Sequence, residues 1–344
     1  MKRNTTITFL LTLVLFVVPQ SGKSEEFRKV GTSAAQFLKV GVGARALAMG
    51  GAFESIADDA STVYWNPAGI TNISRTTWTF THTDWLVDTG HDFSAVIVPL
   101  NESSVLGLSI NAMTIGEEEI TTESEPTGTG QFWNAQGIAA GLSYARQMTD
   151  RFSMGGTVKY ISERIWNESA SAVAVDVGTY LDTKFKGIVI GMSFTNFGNS
   201  MQLSGRDLIR EHDPNEANSL NANVETRLYA EPWPLPTCFT IGTSVELIGD
   251  GQNFIQSETS RLILAVNGSH PNDDSEKLNI GFEYAFRNLG FIRGGYSQGF
   301  DLVDYSVGAG LRLNVYGRDL MLDYAYIPYG DFTNVQTFSI SSGF

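Results

Sequence analysis

The chain has 344 residues, 42% of them hydrophobic, 11% aromatic and 17% charged, with a mean hydropathy of −0.06. That apolar content suffices for a packed core and excludes a disordered chain. With 23 Lys+Arg against 37 Asp+Glu, the net charge of −14 leaves no cationic excess to neutralise phosphates, so no nucleic-acid partner is expected. A single cysteine, Cys238, excludes an intrachain disulfide, a cysteine-based metal site and a lipoprotein anchor. His82, His91, His212 and His270 show no metal-ligand spacing, and no cofactor is expected.

At the start of the chain, Lys2 and Arg3 precede an apolar run from Ile7 to Val18, followed by Pro19, Gly22 and Ser24. This is the charged, apolar and small-residue order of a secretory signal peptide. The run is shorter than the ~20 residues a spanning helix needs. Residues 1–24 are therefore expected to be an export signal, and no other segment approaches a spanning helix. A sizeable exported chain without disulfides fits a bacterial envelope.

Residues 25–74 are small-residue rich and lack any period of two. An Ala-rich stretch from Ala44 to Ala60 can form a short helix; Asn66-Pro67 starts a turn, and Gly69 can take a positive φ. The segment is too small to hold its own core, but it suits the inside of a barrel, where small side chains permit close approach. Gly41, Gly43 and Ala46 satisfy G-x-G-x-x-G/A, with Asp58 or Asp59 beyond them. That fingerprint binds dinucleotides only within a βαβ unit, and nothing downstream reads as a crossover helix.

From Arg75 onward, polar and apolar residues alternate. Tyr305, Val307, Ala309, Leu311, Leu313 and Val315 share one face; Ser306, Gly308, Gly310, Arg312 and Asn314 share the other. About fourteen such segments follow one another: 75–87, 91–100, 103–114, 132–147, 151–166, 169–183, 186–197, 236–248, 258–268, 276–287, 289–297, 302–315, 318–327 and 333–344. Many reach the 9–11 residues a tilted transmembrane strand requires. Tight turns mostly alternate with long polar loops at 116–131 and 198–235, though 248–256 is a longer turn on the short side. A soluble β-sandwich would also alternate, but its solvated face would carry charge, whereas here the second face is rich in Gly, Ser, Thr and Ala. The fold expected is all-β: a transmembrane antiparallel barrel over 75–344, with residues 25–74 as a hatch or plug in its lumen. By alternation Asp176, Glu246, Glu283, Asp319 and Asp323 point inward, with Lys159, Arg293 and Arg312 as partners. Cys238 faces inward beside Thr240 and Ser244 and is read as inert.

The hatch residues carry a resemblance. Gly41-Val42-Gly43-Ala44-Arg45, Met49-Gly50-Gly51-Ala52, Asp58-Asp59-Ala60 and Trp65-Asn66-Pro67-Ala68-Gly69 closely resemble the N-terminal signature of the PorV/PorQ family, barrels related to FadL fatty-acid channels. Asn66-Pro67-Ala68 is also similar to the hatch motif of FadL-type channels. Phe344, on one face with Phe338 and Ile340, resembles the terminal signal read by the outer-membrane barrel-assembly machinery.

The resemblance implies a fourteen-stranded plugged barrel in the bacterial outer membrane, surrounded by outer-membrane lipid. It further implies type IX protein secretion. There the barrel would bind exported cargo by its C-terminal domain and hand it from the translocon to a surface peptidase partner, with no chemistry of its own. Cargo contacts would then lie on loops 116–131 and 198–235. The first holds Glu117, Glu118, Glu119, Glu123 and Glu125, and the second offers Trp233 and Leu235 between prolines. Two other readings remain open: a FadL-like channel that binds a lipid or other small hydrophobic molecule near the hatch, and a barrel of this family with no secretion role. No Ser-His-Asp arrangement, H-E-x-x-H or phosphate loop favours an enzyme.

Overall fold

The computed structural model describes residues 29–213, 224–250, 254–300, 302–330, 332 and 334–344. The expected export signal lies outside the described residues.

Fourteen antiparallel strands close into a barrel. They are β1 (Thr77–Asp84), β2 (Thr89–Pro99), β3 (Ser104–Glu119), β4 (Phe132–Gln147), β5 (Phe152–Ile165), β6 (Glu168–Asp182), β7 (Ile188–Gly198), β8 (Cys238–Gly249), β9 (Ser260–Pro271), β10 (Lys277–Phe286), β11 (Gly290–Gln298), β12 (Tyr305–Val315), β13 (Arg318–Ile327) and β14 (Val335–Gly343). Each is bonded to its sequence neighbour, and β14 returns to β1 with Thr77 opposite Gly343 and Asp84 opposite Gln336. Closure matters because an open edge would leave unpaired N–H and C=O groups in lipid.

The period of two sets the two faces. Val158, Tyr160, Val173, Ile292, Leu311 and Phe338 lie exposed on the outside, while Thr157, Ala172, Ala174, Arg293, Ser306 and Thr337 are buried within. An apolar exterior around a small and polar interior is the pattern of a membrane barrel. One end is joined mainly by short turns, at 100–103, 148–151, 287–289 and 316–317. The other carries the long connections, at 120–131 and 199–237. The short-turn end is called the inner end and the long-loop end the outer one, after the asymmetry that membrane barrels show. Three connections run against it: the outer connections 85–88 and 166–167 are tight and the inner connection 250–259 is long.

Strand β3 runs further than alternation indicates, reaching Glu119 instead of residue 114, so Glu117–Glu119 belong to its outer end and not to the loop. A register shift between Ile115 and Glu118 lets pairing with β4 continue past Gly116. An all-acidic stretch has no apolar alternation to betray it. The 198–235 connection carries a small ribbon of its own, Ile209–His212 paired with Val224–Arg227.

Residues 29–73 occupy the lumen. A 3₁₀ turn, Gln36–Lys39, leads to α1 (Ala44–Ala48), then α2 (Thr62–Trp65) and a second 3₁₀ turn, Pro67–Asn72. The helix in the Ala-rich stretch is only five residues long, because Gly50 and Gly51 turn the chain at φ 65° and 77°. Val42, Met49, Phe53, Val63 and Ile70 are buried to 2% exposure or less, so the core of this protein lies between hatch and wall.

Candidate functional site

The hatch runs through the barrel from the outer mouth to the inner one. At the outer mouth, Ala34 donates its N–H to the Pro234 carbonyl at 2.9 Å, and Ala35 N–H reaches Glu163 at 3.0 Å. Asp273, between β9 and β10, accepts from Gln36 at 2.9 Å, from Lys39 Nζ at 3.1 Å and from the Ser33 hydroxyl. Burial pushes the Asp273 carboxyl up, but these donors outweigh it and hold it below the usual aspartate range. At the inner end, the Thr71 hydroxyl bonds Ser153 at 2.9 Å.

Asn66 is the pivot of the middle section. It is fully buried, and its Nδ2 donates to the carbonyls of Glu54 and Thr179, both at 3.0 Å, while its Oδ1 caps the next turn by accepting from Ala68 N–H at 3.1 Å. Pro67 follows at the first position of that turn, where no N–H is needed. The wall is cut back to receive this motif. A Cβ on Gly178 would sit 2.2 Å from Asn66 Oδ1, and one on Gly155 would sit 2.6 Å from the Pro67 carbonyl. The small lumen face is thus the mould of the hatch.

The other signature residues have local packing roles. A Cβ on Gly41 would strike Leu47, one on Gly43 would strike Ser61 and one on Gly69 would strike Ala57, so these glycines permit contacts within the hatch. No strand–helix–strand unit surrounds Gly41 and Gly43, and the dinucleotide fingerprint is a coincidence of spacing. Met49 packs against Gly281; Gly50 N–H donates to the Ser306 hydroxyl at 3.0 Å; and the Gly51 carbonyl accepts from Asn267 at 3.2 Å.

Arg45 ties α1 to the wall. Its Nε and Nη2 donate to Glu283 on β10 at 2.7 and 2.9 Å, and its Nη1 meets Asp58 and, at 3.3 Å, Asp59. Glu283 also receives Arg261 at 2.9 Å and Arg293 at 2.7 Å, and Arg293 continues to Asp323 at 2.6 Å. Burial opposes the Arg45 charge, but Asp58, Glu283 and Asp59 more than offset it and hold its pKa above the ordinary value. Of the inward charges expected from alternation, Lys159 meets Asp176 at 2.9 Å and Arg293 joins Glu283 to Asp323; Asp319 instead meets Arg75 at 2.8 Å, and Arg312 lies over the Phe291 ring. Alternation gave no sign that Glu283 is also the anchor of the hatch, because Arg45 lies far away in the chain.

Two cavities flank the hatch. The inner one, of about 240 Å³, lies among Arg45, Asp58, Asp59, Arg261, Arg312 and Asp323. The outer one, of about 520 Å³, is floored by Glu54, Tyr64 and Trp65 and walled by residues such as Phe37, Trp85, Phe300 and Tyr329; Cys238 and Thr240 also line it. Every pair of adjacent strands is hydrogen-bonded, so the strands form a closed ring around both cavities.

Trp233 and Leu235 separate in the structure. Trp233 is half-exposed and pairs with Met201 through reciprocal backbone bonds of 2.8 Å. Leu235 is 1% exposed and packs with Phe37, Leu38, Ile161 and Met201, so it pins the long loop over the mouth and is not presented to a partner. Neighbouring prolines mark a stiff segment, but they do not tell which side chain turns inward. Phe338 stacks on Tyr324 with centroids 4.9 Å apart on the lipid face, Ile340 stands opposite Phe80 and Leu322, and Phe344 lies under the Arg318 guanidinium at 4.7 Å.

A closed barrel with an apolar exterior and an internal hatch defines the class: an outer-membrane β-barrel with a FadL-like fold. Similar solved structures include the CymD monoaromatic hydrocarbon channel, with 12% identity and a TM-score of 0.53 over 89% of this chain and 98% of that one. The toluene transporter TbuX of Ralstonia pickettii (12%, 0.55, 88% and 98%) and a Pseudomonas aeruginosa FadL homologue (14%, 0.52, 90% and 97%) share the same fold. No curated protein sequence matches. Within that fold the chain is similar to one family in particular: the family model described as type IX secretion system protein PorV matches residues 23–188, which take in the hatch and β1 to β6.

Proposed function

We propose that this protein is a non-catalytic cargo-binding barrel of type IX protein secretion, exported by residues 1–24 and seated in the outer membrane. In this reading it takes exported proteins by their C-terminal domains on its outer loops and passes them from the translocon to a surface peptidase. The observation that carries it is a hatch packed inside a closed ring of strands, in a chain whose residues 23–188 match the PorV family model. A barrel whose lumen holds its own hatch is suited to work at its rim, where the half-exposed Trp233 offers an aromatic anchor. The test is affinity purification of the tagged protein from native outer membranes, with mass spectrometry of what it retains. A large translocon, a surface peptidase and exported proteins sharing a C-terminal domain are expected. A barrel recovered without them overturns the reading.

The outer cavity favours a second reading, a FadL-like barrel that binds a small molecule above the hatch. Its volume falls within the range of small-molecule sites, and the TbuX and CymD structures with the same fold are described as transporting toluene or monoaromatic hydrocarbons. Passage would then require the hatch to move.

A further inference from the structure

The outer cavity has an unusual floor. Glu54, Ser193 and Asn267 all line it and are at most 3% exposed; apart from the contact of Ser193 with Glu54, the Glu54 Oε2, Asn267 Oδ1 and Asn279 Oδ1 atoms have no hydrogen-bond partner. Buried polar atoms without partners are rare, and three at one cavity point to a ligand. All three can accept hydrogen bonds.

The cations around the cavity are already committed. Lys39 is paired with Asp273 at 3.1 Å, Lys159 with Asp176 at 2.9 Å and Lys277 with Asp274 at 2.9 Å. Glu54, by contrast, has no basic partner among the described residues. Nothing at the floor would neutralise a carboxylate or phosphate head. The walls above are aromatic: Phe37, Trp85, Phe300 and Tyr329.

We propose that the outer cavity is a binding site for a small amphipathic molecule whose head donates hydrogen bonds, a primary amine or an alcohol, and whose apolar body lies among these rings. The head sits on Glu54, Ser193 and Asn267. This stands apart from the cargo reading, since it depends only on the cavity. It also gives the site a polarity opposite to one made for acids. Burial raises the Glu54 pKa well above the usual carboxylate range, as fits a side chain held without a counter-charge until a donor arrives.

The full-length protein, purified in detergent, is titrated with 2-phenylethylamine, 2-phenylethanol, phenylacetate and ethylbenzene, following tryptophan emission and binding heat. Trp65 and Trp85 report from the cavity, and a Trp85→Phe variant assigns the signal. The amine and the alcohol are expected to saturate at concentrations at least tenfold lower than the acid and the hydrocarbon. Glu54→Gln is expected to weaken the amine at least tenfold and the alcohol far less; Ser193→Ala is expected to weaken both. Heat-modifiable gel mobility verifies that each variant remains a folded barrel. Tighter or equal binding of phenylacetate or ethylbenzene overturns the proposal. So does the absence of saturable binding by any probe, which would mean that the floor holds water only.

Discussion

Arg45 and Glu283 stand 238 residues apart in the chain and share two hydrogen bonds, 2.7 and 2.9 Å, inside the barrel. Both side chains are nearly or fully buried, so the pair joins hatch and wall where water screens little. Breaking a buried ion pair from one side costs about 3–5 kcal/mol. Because Arg261 and Arg293 still serve Glu283, Arg45→Met is expected at the lower end of that range. A loosened hatch would show as raised conductance in planar bilayers, with the wild type near silent. A variant as silent and as stable as the wild type would mean that packing alone holds the hatch.

The mould around Asn66 predicts a contrast between two glycines. Gly178→Ala places a methyl group 2.2 Å from Asn66 Oδ1 and is expected to destabilise by about 1–3 kcal/mol, since backbone and hatch must part. Gly268→Ala meets nothing within 4 Å and is expected to change stability by no more than about 0.5 kcal/mol. Urea unfolding of the two variants measures the difference.

The direction of the hatch gives a topology prediction. Thr32 is exposed, and the chain just after it is bonded to Pro234 and Asp273 at the outer mouth, whereas Glu102 lies in a turn at the opposite end. In a Cys238→Ser background, Thr32→Cys is expected to react with a membrane-impermeant maleimide on intact cells. Glu102→Cys is expected to react only after the outer membrane is permeabilised. The reverse pattern would invert the barrel.

Asp273 makes the outer hold on the hatch depend on acid. Its folded pKa lies below the ordinary value, so its contribution is complete above about pH 4 and is lost as pH falls through the folded value. Lys39, Ser33 and Gln36 face it. A fluorophore on Thr32→Cys is expected to lose anisotropy below about pH 4. In Asp273→Asn its anisotropy is expected to be low already at neutral pH and to change little with acid.

Trp233 and Leu235 are expected to fail differently. Removal of an interface aromatic that anchors a partner costs about 2 kcal/mol or more, or about thirtyfold in affinity. Trp233→Ala is therefore expected to reduce cargo recovery from outer membranes with no change in barrel stability. Leu235→Ala empties a buried site and is expected to cost about 2–5 kcal/mol of stability or loop attachment. Equal cargo recovery by Trp233→Ala and wild type would move the anchor elsewhere on the rim.

The barrel was legible because membrane strands obey a local rule. Each residue of Tyr305–Val315 faces either lipid or lumen, and that choice leaves a period of two in the chain itself. Residues 25–74 stood out for the opposite reason, as a long stretch with no such period before the first strand, and the Asn66 side chain caps the turn at Ala68 within three residues. Tertiary structure decided what these local signals cannot encode. Glu283, Arg293 and Asp323 could be read as inward charges, but their link to Arg45 arises only when the hatch threads the closed barrel. The same threading turns lumen glycines such as Gly178 from open space into close contact. It brings Glu54 from the hatch together with Ser193 and Asn267 from the wall, on three elements that never meet in sequence. Alternation fixes the direction in which a side chain points, and only closure of the barrel determines what it finds there.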